Sequence, residues 1–303
     1  MPVASSRLCG GSGDVADRLR ASLPIVPIDR GLGPVVAFVH GQPGSGADWL
    51  DLAEDLSSDH RVIAPDRPGW GAHPRPAVGL GDNAESLARL LEHCGAEPPV
   101  TVVGHSLGGG IALELALARP ELVGSLVLIG SVGVASALSG LDRLLAVPMV
   151  GDGILLAGSA TIRRSVRAMR RLPDSWRAGR LAREAVRIPT VRAVVGGSGG
   201  EALMGRARAS FIIEQRALLR ETPSLQRRLT LLRVPVAVVH GSSDRIVPLP
   251  AARLLAELIP GAELVVIPGH GHLVAFEQRE EIAQLVRRYS RMASLGGPPS
   301  PSG

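Results

Sequence analysis

The sequence predicts an α/β fold, a mostly parallel sheet with helices on both faces, and three observations carry that prediction. Short apolar runs alternate with helical segments through most of the 303 residues, as expected of strands buried on both faces and joined by crossover helices. One run, at 100–103, leads directly into Gly104-His105-Ser106-Leu107-Gly108 and an almost uniformly apolar helix, so a buried strand turns sharply into a buried helix. At 45% hydrophobic residues the chain can bury one large core, and with 2% aromatics that core is aliphatic.

The elements follow in order. Residues 1–20 hold Asp14, Asp17 and scattered arginines, without the apolar stretch of a secretory signal, and read as a frayed tail. Strands are expected at 34–39 and 61–65, a helix over 82–94, a strand at 100–103 and a helix over 107–119 stopped by Pro120. Residues 122–141 carry no charge, but Gly124, Gly130, Gly133 and Gly140 interrupt them. They read as a strand at 125–129 and a loop, not a membrane span.

Residues 131–233 break this rhythm and carry 18 Arg against 7 Asp plus Glu, a net of +11 that leaves the remainder at −6. The stretch 144–160 is mainly apolar and 160–192 amphipathic, as in helices that cover a pocket and face water beyond it. Gly196-Gly197-Ser198-Gly199-Gly200 reads as a flexible connection. Strands at 234–239 and 262–267, with a helix over 249–258, resume the core. The expected organisation is a tail (1–20), a first core part (21–132), a helical cap (133–232) between the sixth and seventh core strands, a second core part (233–292) and a disordered tail (293–303).

Composition narrows the function. Cys9 and Cys94 lie far apart without ligand spacing, so neither a disulfide framework nor a metal site is expected and the setting reads as cytoplasmic. No cofactor motif is present. Every basic side chain is arginine, a uniformity that points to genome composition and away from nucleic-acid binding. The basic insertion is suited to steering anionic substrates or touching an anionic membrane surface, or is simply the solvated face of its helices.

Small residues on both sides of Ser106 suit a nucleophile elbow, in which a serine hydroxyl is held at the apex of a strained turn. Serine needs an adjacent base. Asp244 follows the strand at 234–239, at the sheet edge where open α/β sheets place their sites. His270 and His272 share the loop after the next strand, and spacing alone does not separate them.

Together these motifs resemble the α/β-hydrolase superfamily, specifically its cap-bearing branch of esterases and carbon-carbon bond hydrolases, over about residues 25–290. The resemblance implies the α/β-hydrolase fold and a Ser106-Asp244-His272 triad. In the family's Gly-x-Gly-His motif His272 takes the catalytic place and His270 a variable one, while Arg279 stands where the family has proline. It also assigns His40-Gly41-Gln42-Pro43-Gly44 to the oxyanion loop, with the Gln42 and Leu107 N–H groups as donors and the Gln42 side chain as a possible third. Related epoxide hydrolases and dehalogenases use an aspartate nucleophile where this chain has Ser106, and the single tyrosine, Tyr289, lies outside the cap. Gln42 also departs from the His-Gly-Gly-Pro-Gly loop of proline iminopeptidases.

The implied chemistry is acyl transfer on a small or medium apolar ester or thioester. The alternatives are hydrolysis of carbon-carbon bonds in vinylogous diketones, a peptidase of the proline iminopeptidase type, and a non-catalytic binding module. Trp49, Trp70, Met149 and Phe276 are candidate pocket walls or ordinary core residues. Oligomeric state is not readable.

Overall fold

The computed structural model describes residues 28–147, 150–153 and 200–295. The tail 1–20, Met149, the amphipathic stretch 160–192 and the glycine run at 196–199 lie outside them. Seven described strands form one sheet: β1 (Ile28–Arg30), β2 (Val35–Val39), β3 (Arg61–Ala64), β4 (Val100–His105), β5 (Val123–Ile129), β6 (Val236–Gly241) and β7 (Glu263–Ile267). Their order is β1-β3-β2-β4-β5-β6-β7. All pairs are parallel except β1 with β3. Every residue of β2, β4 and β6 is buried, which is why these strands read as unbroken apolar runs.

Eight described α-helices are α1 (Leu50–Leu56), α2 (Leu80–His93), α3 (Leu107–Ala118), α4 (Gly140–Ala146), α5 (Gly200–Arg228), α6 (Leu249–Leu258), α7 (Val274–Glu277) and α8 (Arg279–Leu295). Successive side chains of β2 point to opposite faces. Val35, Ala37 and Val39 join Leu91, Ile111, Leu225 and Leu255 in one core. Val36 and Phe38 join Trp49, Leu56, Ile282 and Val286 in the other. Helices α2, α3, α5 and α6 therefore cover one face, and α1, α7 and α8 the second. Each fully buried leucine or isoleucine contributes about 1.5–3 kcal/mol.

The helical insertion leaves the sheet after β5 and returns at β6. These are the strands expected to flank it; counted from Ile28 they are fifth and sixth rather than sixth and seventh. Three local differences stand out. β1 was not expected, because Ile28-Asp29-Arg30 has no apolar run and owes its extension to pairing with β3. Helix α8 runs to Leu295, three residues into the segment expected to be a disordered tail, because Ala293 is buried at its end. Helix α5 begins at Gly200, the last residue of the glycine run. Residues 123–129 form β5, and among the described residues no helix is long and apolar enough to cross a membrane.

Candidate active site

The chain passes from β2 to β3 on one side of β2 and then returns to β4 on its other side. The carboxyl ends of β2 and β4 thus frame the crevice at a topological switch point. His40 follows β2 and Ser106 follows β4. Ser106 has φ 54° and ψ −119°, the one non-glycine residue with positive φ among those described, and a strained conformation of this kind must be held by its surroundings. Ser106 N–H donates to the Ile129 carbonyl at 3.0 Å, and its own carbonyl accepts from Val132 N–H at 3.1 Å.

The flanking glycines are required by contact. A Cβ at Gly104 would sit 2.5 Å from the Gly108 carbonyl oxygen, and one at Gly108 would sit 2.2 Å from that of Val39. Both obstacles are backbone. Gly108→Ala is therefore expected to cost about 3 kcal/mol or more, seen as a lower urea midpoint. An unchanged midpoint would mean that β2 and α3 separate freely.

Asp244, in the loop after β6, has its side chain fully buried. One carboxylate oxygen accepts from the N–H groups of Ile246 and Val247 at 2.8 and 3.0 Å. The other accepts from His272 Nδ1 at 2.8 Å. Burial pushes this carboxyl up, but the His272 contact and the two N–H donors outweigh it and hold it below the usual range. With Nδ1 keeping its proton and donating it to the Asp244 carboxylate, Nε2 is the basic nitrogen of His272. His270 is turned elsewhere: Nδ1 donates to the Pro268 carbonyl at 2.9 Å, and Nε2 accepts from Gln278 at 2.6 Å.

Gly130 locates the pair relative to the serine. It follows Ile129, whose carbonyl holds Ser106, and has φ 52°. A Cβ there would lie 3.2 Å from His272 Nδ1 and 3.5 Å from Asp244 Oδ2. His105 makes a second link, donating from Nε2 to the His272 carbonyl at 2.9 Å, with the two rings 4.9 Å apart. Burial and the neighbouring His272 push His105 down to about 3, so it is neutral. The three expected residues are thereby gathered around one backbone corner.

The loop after β2 is also fixed. His40 Nε2 accepts from Arg67 N–H at 3.0 Å, so Nδ1 carries the proton and donates to the Gly41 carbonyl at 2.9 Å. A Cβ at Gly41 would lie 3.1 Å from that of Ser106. The Gln42 side chain donates to the Phe211 carbonyl of α5 at 2.9 Å, which commits the expected third donor to the insertion. Leu107 opens α3, where the first N–H groups have no intrahelical acceptor.

Among the candidate walls, Trp49 is 1% exposed and packs against Phe38 and Phe276 at 4.7 and 5.4 Å between ring centres. It belongs to the core beneath the site. Phe276 lies between Trp49 and His105, and Trp70 is buried in the loop after β3. Arg67 and Glu214 escaped sequence reading. Their signals were an Asp-Arg pair at the carboxyl end of a strand and a lone carboxylate after Phe211-Ile212-Ile213.

A family model described as the alpha/beta hydrolase fold matches residues 34–278. The chain is 34% identical over 280 residues to a 2-hydroxymuconate semialdehyde hydrolase of Pseudomonas putida, covering 86% of this chain and 88% of that protein. A thermophilic esterase from Thermogutta terrifontis is similar at 26% identity and TM-score 0.62, with 88% and 92% of the two chains covered. A meta-cleavage product hydrolase from Pseudomonas fluorescens IP01 is similar at 26% identity and TM-score 0.64, with 88% and 93% covered.

Proposed function

This chain belongs to the alpha/beta hydrolase fold family, and on that premise we propose that it is a serine hydrolase acting by acyl transfer, with residues 133–232 as its cap. The observation that carries the reading is the buried Asp244-His272 pair, 2.8 Å between Oδ2 and Nδ1, meeting the strained Ser106 turn at Gly130. His272 Nε2 takes the Ser106 proton as the hydroxyl oxygen attacks a carbonyl carbon. Asp244 holds the imidazole in its productive tautomer and stabilises the imidazolium. The N–H groups of Gln42 and Leu107 receive the developing oxyanion, aided by the α3 dipole. His272 then protonates the leaving group, and water releases the acid by the same steps.

The substrate we favour is a small to medium apolar ester or thioester, in keeping with the mainly apolar stretch 144–160 of the insertion and a serine nucleophile. The similarity to the 2-hydroxymuconate semialdehyde hydrolase favours a second reading, hydrolysis of a carbon-carbon bond in a vinylogous diketone. A cytoplasmic setting fits a chain whose two cysteines, Cys9 and Cys94, lie far apart in the sequence.

A fluorophosphonate probe is expected to label the wild-type protein and not Ser106→Ala. Failure to label the wild type would favour the binding-module reading. Turnover of aryl esters of graded acyl length, of thioesters and of a vinylogous diketone then separates the two substrate classes.

A further inference from the structure

The Gly41–Gln42 peptide is trans, so its C=O and N–H point in opposite directions. Whatever holds the Gly41 carbonyl therefore aims the Gln42 N–H. Two donors hold it, His40 Nδ1 at 2.9 Å and Arg67 Nη2 at 2.8 Å, and Arg67 also fixes the His40 carbonyl through Nε at 2.9 Å. Its remaining terminal nitrogen, Nη1, pairs with Glu214 of α5. Both side chains are buried, at 3% and 1% exposure, where an ion pair is rigid because neither charge has water to turn to.

Glu214 is one member of a seam. At four-residue intervals along α5, Arg206 donates to the His73 carbonyl at 3.2 Å, Ser210 to the Gly69 carbonyl at 2.8 Å, and Glu214 receives Arg67. Such spacing lines one helix face. That face docks on the loop after β3, and from the same helix the Phe211 carbonyl takes the Gln42 side chain. The oxyanion loop is thus tied to the insertion twice, directly through Gln42 and indirectly through Arg67.

We infer that Arg67 is a positioning residue for the Gln42 N–H and that Glu214 is the counter-ion that keeps it in place, so that helix α5 of the insertion sets the geometry of the oxyanion site. This rests on the acyl-transfer reading above. A 1 Å misplacement of such a donor costs about 100-fold in rate.

The test separates this role from a structural one. Replacing a buried ion pair with apolar side chains of similar volume is often neutral for stability, but the His40 and Gly41 carbonyls each lose a donor, so Arg67→Met combined with Glu214→Leu is expected to fold with a lowered melting temperature. Its kcat for an aryl ester should fall about 100-fold with KM within about threefold, since the lost interaction belongs to the transition state. Affinity for a trifluoromethyl ketone, which forms a tetrahedral adduct with the serine, should fall by the same factor. A folded double variant with wild-type kcat and adduct affinity would overturn the inference. If the double variant does not fold, Glu214→Gln is read instead: about a tenfold loss of kcat supports the role, and wild-type kinetics overturns it. A wild-type protein that neither reacts with fluorophosphonate nor turns over any ester would instead sink the acyl-transfer reading, before any variant is made.

Discussion

His272→Ala is expected to lower kcat for an ester by about four orders of magnitude or more, whereas His270→Ala should leave it within about threefold. On the acyl-transfer reading, removing His272 leaves Ser106 with its proton and no acceptor for it. The contrast between the two histidines is the informative part. They sit two residues apart in one partly buried loop, yet His272 meets a buried carboxylate at 2.8 Å while His270 is held by Pro268 and Gln278. Steady-state turnover of both variants, with circular dichroism to establish folding, checks the prediction. Equal losses would transfer the base to His270 and require the loop to rearrange when substrate binds.

Acid is expected to unfold the protein well before its carboxylates titrate as a group. Burial pushes His105 down to about 3 and His73 to about 4 from an ordinary 6.5, and it lowers His40 and His240 as well. In each case the folded-state value lies below the unfolded one, so the unfolded chain takes up the proton first. Stability that is fully present above pH 6.5 is then lost as the pH falls toward 3. Between pH 6.5 and 4, His105 alone removes roughly 3 kcal/mol, a large part of a typical domain's margin. Asp244, held low, adds to the loss at the acid end, while burial raises Asp66 and Glu214 and these offset part of it. The melting temperature measured at pH 7, 5.5 and 4.5 should fall steeply, and His105→Gln should flatten that slope. A melting temperature constant down to pH 4.5 would mean that these rings are hydrated.

The fold was legible because parallel strands buried on both faces must be apolar throughout, and β2, β4, β5 and β6 stand out in composition for that reason. The turn at Ser106 was legible for an equally local cause. Strand, small residues, serine and apolar helix are consecutive in the chain, and the glycines are dictated by backbone that approaches within 2.5 Å. The edge strand β1 was not legible, because three residues ending in Asp29-Arg30 become a strand only when β3 supplies the hydrogen bonds.

What the chain alone determined was its layer architecture, the position of Ser106 at a sheet edge and the presence of an acid and two histidines downstream. Spacing did not separate the two histidines and the family resemblance pointed to His272, but the contact of His272 with Asp244 belongs to the tertiary structure. That contact depends on how the loop after β7 lies against the end of β5, a relation between residues more than a hundred positions apart. The same holds for Arg67 and Glu214, separated by 147 positions. A buried charge declares its partner only once the low-dielectric interior forms around it, and no periodicity in the sequence records that meeting.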